Sequence, residues 1–120
     1  MASQKTVGVL LFEGFELLDV FGPLEAWGMH AEIAGACTIV TAAEKAGATK
    51  SAQGPRAMAD YAFTDRPRID VMLVPGGIGT RREVQNGALL EWLRQRAAQA
   101  EIVSSVCTGA ALLARRPSSG

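Results

Sequence analysis

The chain has 120 residues, 48% of them hydrophobic and 20% charged, and its twelve basic and twelve acidic side chains cancel to zero formal net charge. That length allows one domain with one core, burying about two thirds of the unfolded surface. The balanced charge leaves no electrostatic footprint for nucleic acid or an anionic membrane, so the expected partners are small molecules or protein.

In chain order, Val7-Gly8-Val9-Leu10-Leu11-Phe12 is a continuous apolar run closed by Glu13-Gly14, the pattern of a central strand covered on both faces. It is too short, and too weakly basic upstream, to be a signal peptide. No other stretch is long enough to span a bilayer, so a cytoplasmic location is expected. From Glu16 onward Leu17, Leu18, Phe21, Leu24 and Trp27 recur at helical spacing, and Gly22-Pro23 predicts a break and a restart with Pro23 at a first helical position. Asp19 lies between Leu18 and Val20, surroundings that favour a protonated carboxyl able to donate a hydrogen bond. Capping of the restart, or a position facing water, accounts for Asp19 equally well on spacing alone.

Thr38–Ala42 is the second predicted strand. The polar stretch from Glu44 to Gln53 predicts a loop or hairpin turning near Gly54-Pro55. Tyr61–Pro67 reads as a short turn delivering the chain to Asp70–Val74, the next buried strand. Pro75-Gly76-Gly77-Ile78-Gly79 follows at that strand's carboxyl end, where backbone N–H groups can converge on an anion or a developing negative charge. It completes neither a dinucleotide fingerprint, which would need a small residue at Arg82, nor a P-loop, and taken alone it reads first as tight turn geometry. Arg81 and Arg82 are placed to face an anionic ligand or to form a solvated helix start, and the second reading is the favoured one. Leu89, Trp92, Leu93, Arg96, Ala97 and Ala100 then place an apolar stripe on one helix face, with Arg94 and Gln95 outside it.

Ile102–Val106 reads as a buried strand and Gly109–Leu113 as a helix, which puts Cys107 on the turn between them. Unpaired N–H groups and the positive end of a helix dipole favour the thiolate there. Such a turn also lifts a nucleophile to the carboxyl edge of the sheet, where open α/β sheets bind ligands; the alternative reading of Cys107 is a small buried hydrophobe. Cys37 has no acid, base or helix start beside it and reads as a buried structural thiol. The two cysteines lack a Cys-x-x-Cys spacing and the single histidine, His30, cannot complete a metal cluster, so reduced thiols and no structural metal are expected. Strands alternating with helices, without an internal repeat, predict an α/β three-layer sandwich of flavodoxin-like or Rossmann-like type with a mainly parallel sheet. After Cys107 only about two helical turns precede the Arg115–Gly120 segment, shorter than a typical helix. The expectation is an α/β domain over residues 1–114, truncated at its carboxyl end, followed by a disordered tail over 115–120.

Phe12-Glu13-Gly14 with Leu18-Asp19 and Gly22-Pro23, then Val74-Pro75-Gly76-Gly77, then Val106-Cys107-Thr108-Gly109, resembles the ThiJ/PfpI superfamily, also called the DJ-one family. The Cys-Thr-Gly turn together with Leu-Asp-x-x-Gly-Pro is similar to the isocyanide hydratase subgroup and to sensor domains of AraC-type regulators. The resemblance implies Cys107 as nucleophile, Asp19 as the protonated acid bonded to its thiolate, and Thr108 as a neighbouring hydroxyl. It also implies Gly76 and Gly77 at the oxyanion or substrate-binding position, with backbone N–H donors from Gly77 and Thr108. Glu16 is a rival for the acid, and the spacing from Asp19 to Pro23 favours Asp19. Thr108 stands where protease-like relatives often carry histidine, which disfavours a Cys-His pair. A homodimer, a small-molecule substrate and no cofactor are further implications. The implied activity is hydration of isocyanides to N-substituted formamides; the alternatives are a ligand-sensing amino-terminal module of a transcription regulator and an inactive fragment.

Overall fold

The computed structural model describes residues 5–34, 37–65, 67–105, 109, 112 and 114. Strand β1, Lys5–Leu10, is the centre of the sheet because its Val7–Leu10 segment has no exposed face. It pairs in parallel with β2, Cys37–Ala43, from Lys5 opposite Cys37 to Leu10 opposite Ala42. On its other side it pairs in parallel with β6, Val71–Val74, from Val7 opposite Val71 to Val9 opposite Leu73. Strand β7, Ile102–Ser105, extends β6, and β5, Tyr61–Ala62, is a two-residue edge beside β2. The order β5-β2-β1-β6-β7 reverses direction between β1 and β6. Parallel neighbours need right-handed crossovers, so the helix leaving β1 and the helix leaving β6 cover opposite faces, which gives the expected three-layer, mainly parallel α/β sandwich.

The first crossover is α1, Leu17–Ala34. The break expected at Gly22-Pro23 is not there; the helix is continuous with Pro23 inside it. Pro23 cannot donate to the carbonyl of Asp19 four residues earlier. Packing on both sides of that gap holds the helix together: Val20 is buried, and Leu17, Leu24 and Trp27 lie against the core. The buried stripe is therefore 17, 20, 24 and 27, while Leu18 and Phe21, expected within it, point outward. The side chains of His30 and Cys37 lie outside the described residues.

The polar stretch after β2 forms the expected hairpin, β3 at Gly47–Lys50 antiparallel to β4 at Arg56–Ala59. The turn expected at Tyr61–Pro67 consists of β5 and a 3-10 turn, Phe63–Asp65, whose Phe63 stacks on Trp92 at 4.6 Å between ring centroids. Two helices follow β6: α2, Thr80–Glu83, and α3, Gly87–Gln99. Asn86 caps α3 by accepting the Leu89 N–H at 3.2 Å. The buried face of α3 carries Leu89, Trp92, Leu93 and Arg96, as its spacing predicts. Gly109, Leu112 and Ala114 are helical, and the expected tail over 115–120 lies outside the described residues. Among the described residues no helix is long and apolar enough to cross a membrane.

At the opposite end of the sheet Asp70 ties three strands together. Its N–H donates to Thr6 O at 2.8 Å, its Oδ2 accepts the Thr6 N–H at 2.8 Å, and its carbonyl accepts from Glu101 and Ile102. The Thr6 N–H, with the Arg68 guanidinium on Oδ1, outweighs burial and holds the Asp70 carboxyl below the usual carboxylate range. A lowered folded-state pKa contributes stability above the unfolded value of about 3.9, and that stability is lost as pH falls through the folded value. Asp70→Ala should therefore lower stability by about 1–2 kcal/mol at neutral pH. Urea midpoints of the two proteins should converge in acid; a gap independent of pH would show that the carboxylate charge is not what matters.

Candidate active site

The reversal between β1 and β6 opens a crevice at the carboxyl ends of these strands, the position where open α/β sheets bind ligands. Its walls are the loop after β1, residues 11–16, and the glycine-rich turn after β6, residues 75–79. Their backbones are laced directly: Glu16 N–H donates to Gly76 O at 3.0 Å and Gly79 N–H to Gly14 O at 3.1 Å. Gly77 has φ of +129°, and a side chain there would strike the Gly14 carbonyl, so the turn must be glycine to lie this close.

Asp19 sits in the first turn of α1, off the helix's apolar stripe, and is buried by this turn. Its Oδ2 accepts the Gly76 N–H at 3.1 Å, so the sequence-predicted acid and one of the predicted glycines are in contact across the crevice. The Gly76 N–H is thus directed at a carboxyl group. Glu16 goes elsewhere. Both its carboxylate oxygens accept from Gln53 Nε2, at 3.0 and 2.9 Å, on the exposed side of the loop.

Cys107 and Thr108 lie outside the described residues. The chain on either side is placed. Strand β7 pairs with β6 as far as Ser105 opposite Val74. Gly109 is buried so close to the end of β6 that a side chain there would strike the carbonyl oxygens of Val74 and Pro75. Ser105 and Gly109 therefore both lie at the end of β6, against Val74 and Pro75, one residue before the Gly76 that meets Asp19.

The hairpin turn contributes residues that sequence reasoning did not single out. Gly14 N–H donates to Lys50 O at 2.9 Å, Lys50 N–H to Glu13 Oε2 at 2.7 Å, Ala52 N–H to Phe15 O at 2.8 Å, and Leu17 N–H to Gln53 Oε1 at 3.2 Å. Arg82 of α2 completes the frame through Nη2 to Glu13 O at 2.7 Å. The available signal was the polar run Lys50–Gln53 beside a predicted turn, which points to exposure and to no partner in particular. A separate cleft of about 280 Å³ lies at the ends of β1 and β2, with Leu11, Phe12 and Ala43 among its lining. It touches neither Asp19 nor the glycine pair, and the carboxylates of Glu44 and Glu83 beside it are taken up by Asn86. The crevice at the strand reversal is therefore the better candidate. Among the described residues no group of three or more His, Cys, Asp or Glu side chains could hold a metal ion.

The model of the DJ-1/PfpI family matches residues 5–117. The chain is 31% identical over 107 residues to an isonitrile hydratase from Pseudomonas putida, a match covering 89% of this chain and 45% of that protein. The crystal structure of a ThiJ/PfpI family protein from Pseudomonas syringae superposes with a TM-score of 0.81 at 24% identity, over 96% of this chain and 47% of the other. A two-domain protein from Anabaena variabilis, with DJ-1/ThiJ/PfpI-like and ferritin-like domains, superposes with a TM-score of 0.76 at 21% identity, over 93% of this chain and 32% of the other. The chain thus spans about half the length of the hydratase and of the Pseudomonas syringae protein.

Proposed function

Because the chain belongs to the DJ-1/PfpI family, we propose that it carries the nucleophile-bearing part of a cysteine-dependent enzyme that hydrates isocyanides to N-substituted formamides. The observation that carries this reading is the buried Asp19 carboxyl held against Gly76 at the strand reversal, with Ser105 and Gly109 both placed at the end of β6. The 31% identity to an isonitrile hydratase supports the choice of substrate.

In the proposed reaction the Cys107 sulfur bonds to the terminal carbon of the isocyanide, and that carbon takes a proton by way of the Asp19 carboxyl. Water then adds to the same carbon and the carbon–sulfur bond breaks. The thiol is restored, and the sum is isocyanide plus water giving R–NH–CHO, with no net oxidation or reduction. Thr108 and Gly77 orient the reacting carbon and nitrogen. A thiolate needs no histidine base where a helix start and a neighbouring acid favour it. The same reading implies a small-molecule substrate and a cytoplasmic homodimer, for which exposed Leu18 and Phe21 on α1 offer an apolar surface. Incubation of the protein with an aryl isocyanide should yield the formamide by mass spectrometry; formation no faster than in buffer overturns the assignment.

A further inference from the structure

A second cleft, of about 430 Å³, opens where the hairpin turn, the β1–α1 loop and the start of α2 meet. Lys50, Arg81 and Arg82 line it, against the single carboxylate of Glu13. That carboxylate is fastened to the Lys50 backbone N–H. Arg82 is likewise engaged, by the Glu13 carbonyl and by Glu83 Oε1 at 3.1 Å. Lys50 and Arg81 make no ion pair among the described residues. Two exposed cations would by themselves remain hydrated, but Ser51, on the same cleft, is 3% exposed and its hydroxyl has no hydrogen-bond partner among the described residues. A buried hydroxyl without a partner has given up water for nothing.

A group that accepts from a hydroxyl, an ammonium and a guanidinium together is an oxyanion. Ile78, 72% exposed at the lip, offers an apolar contact for the rest of such a molecule. We propose that this cleft binds the oxyanion of a small organic acid, a carboxylate or a phosphate monoester, through Ser51 Oγ, Lys50 Nζ and the Arg81 guanidinium. The site does not depend on the hydratase reading, since neither Asp19, Gly76 nor Gly77 lines it.

The test is titration of the protein with inorganic phosphate and, separately, with succinate, at ionic strength held constant with sodium chloride. Binding is followed by the amide resonances of residues 50–52 and 78–82 and by the thermal midpoint. Saturable shifts with at least one of the two are expected, and the tighter of them assigns phosphate or carboxylate. Lys50→Met and Arg81→Gln should each weaken binding roughly tenfold, as loss of one charge-assisted contact implies. Arg94→Gln, whose arginine pairs with Glu91 on α3, should leave it unchanged. Ser51→Ala gives the sharpest readout. In chloride alone this variant should be at least as stable as the parent, because it removes an unsatisfied group, and in the binding anion it should be less stable. The proposal is overturned if neither anion shifts these resonances beyond the chloride control, if the Lys50→Met/Arg81→Gln double variant binds as the parent does, or if Ser51→Ala shows the same order in both salts.

Discussion

Gly79→Ala is expected to destabilise the protein by about 3 kcal/mol, the scale of an overpacked site whose neighbours cannot move aside. The backbone of Gly79 is ordinary, with φ of −66°, so strain is not the cause. The cause is collision: a methyl group there would overlap the Glu13 carbonyl oxygen and press on the Phe12 ring. The Glu13 carbonyl cannot retreat cheaply, because it accepts from Arg82 while the Glu13 carboxylate holds the Lys50 N–H. Moving Gly79 instead breaks its N–H bond to Gly14 O. Gly87→Ala is the matched control. Gly87 is the first residue of α3 and has no heavy atom of the described residues near its missing methyl, so alanine there should be neutral or stabilising by up to about 1 kcal/mol. Urea unfolding of both variants decides the point. A Gly79→Ala midpoint equal to the parent's would mean that the two loops are not packed against each other as described.

The elements that sequence reading located are those whose side chains repeat with a period. β1 and β6 are unbroken apolar runs because both faces are covered, and α3 shows its buried stripe at the spacing of a helix. β5 has two residues and α2 four, too few to carry a period. The break expected at Gly22-Pro23 is absent because the packing of Val20 and Leu24 on either side of Pro23 outweighs the one hydrogen bond that proline forgoes. In the site, Asp19 and the Gly76-Gly77 pair were legible because a carboxyl between apolar neighbours and glycines after a strand are local signals. The frame that holds them was not. Gln53 reaches Glu16 across 37 residues of sequence, and Ser51 bridges to Phe15 in the loop that joins β1 to α1. Contacts between loops leave no periodic trace in either partner.

The assignment of the acid can be decided by isosteric substitution, because the two candidates face different partners. Asp19→Asn keeps an oxygen that can accept the Gly76 N–H but removes the carboxyl proposed to take up and return a proton. It should unfold near the parental midpoint while formamide formation falls by roughly 100-fold or more, the usual loss when a positioned acid–base group is removed. Asp19→Ala should lose turnover and about 1–3 kcal/mol of stability as well, since the buried Gly76 N–H is left unpaired. Glu16→Gln should preserve both quantities, because the Glu16 carboxylate is spent on the exposed Gln53 amide. Cys107→Ala sets the floor against which all three are read. Turnover retained in Asp19→Asn and lost in Glu16→Gln would transfer the acid role to Glu16. Loss of stability without loss of turnover in Asp19→Ala would reduce Asp19 to a strut for the glycine turn, and the proton would then have to come from the Thr108 hydroxyl or from water.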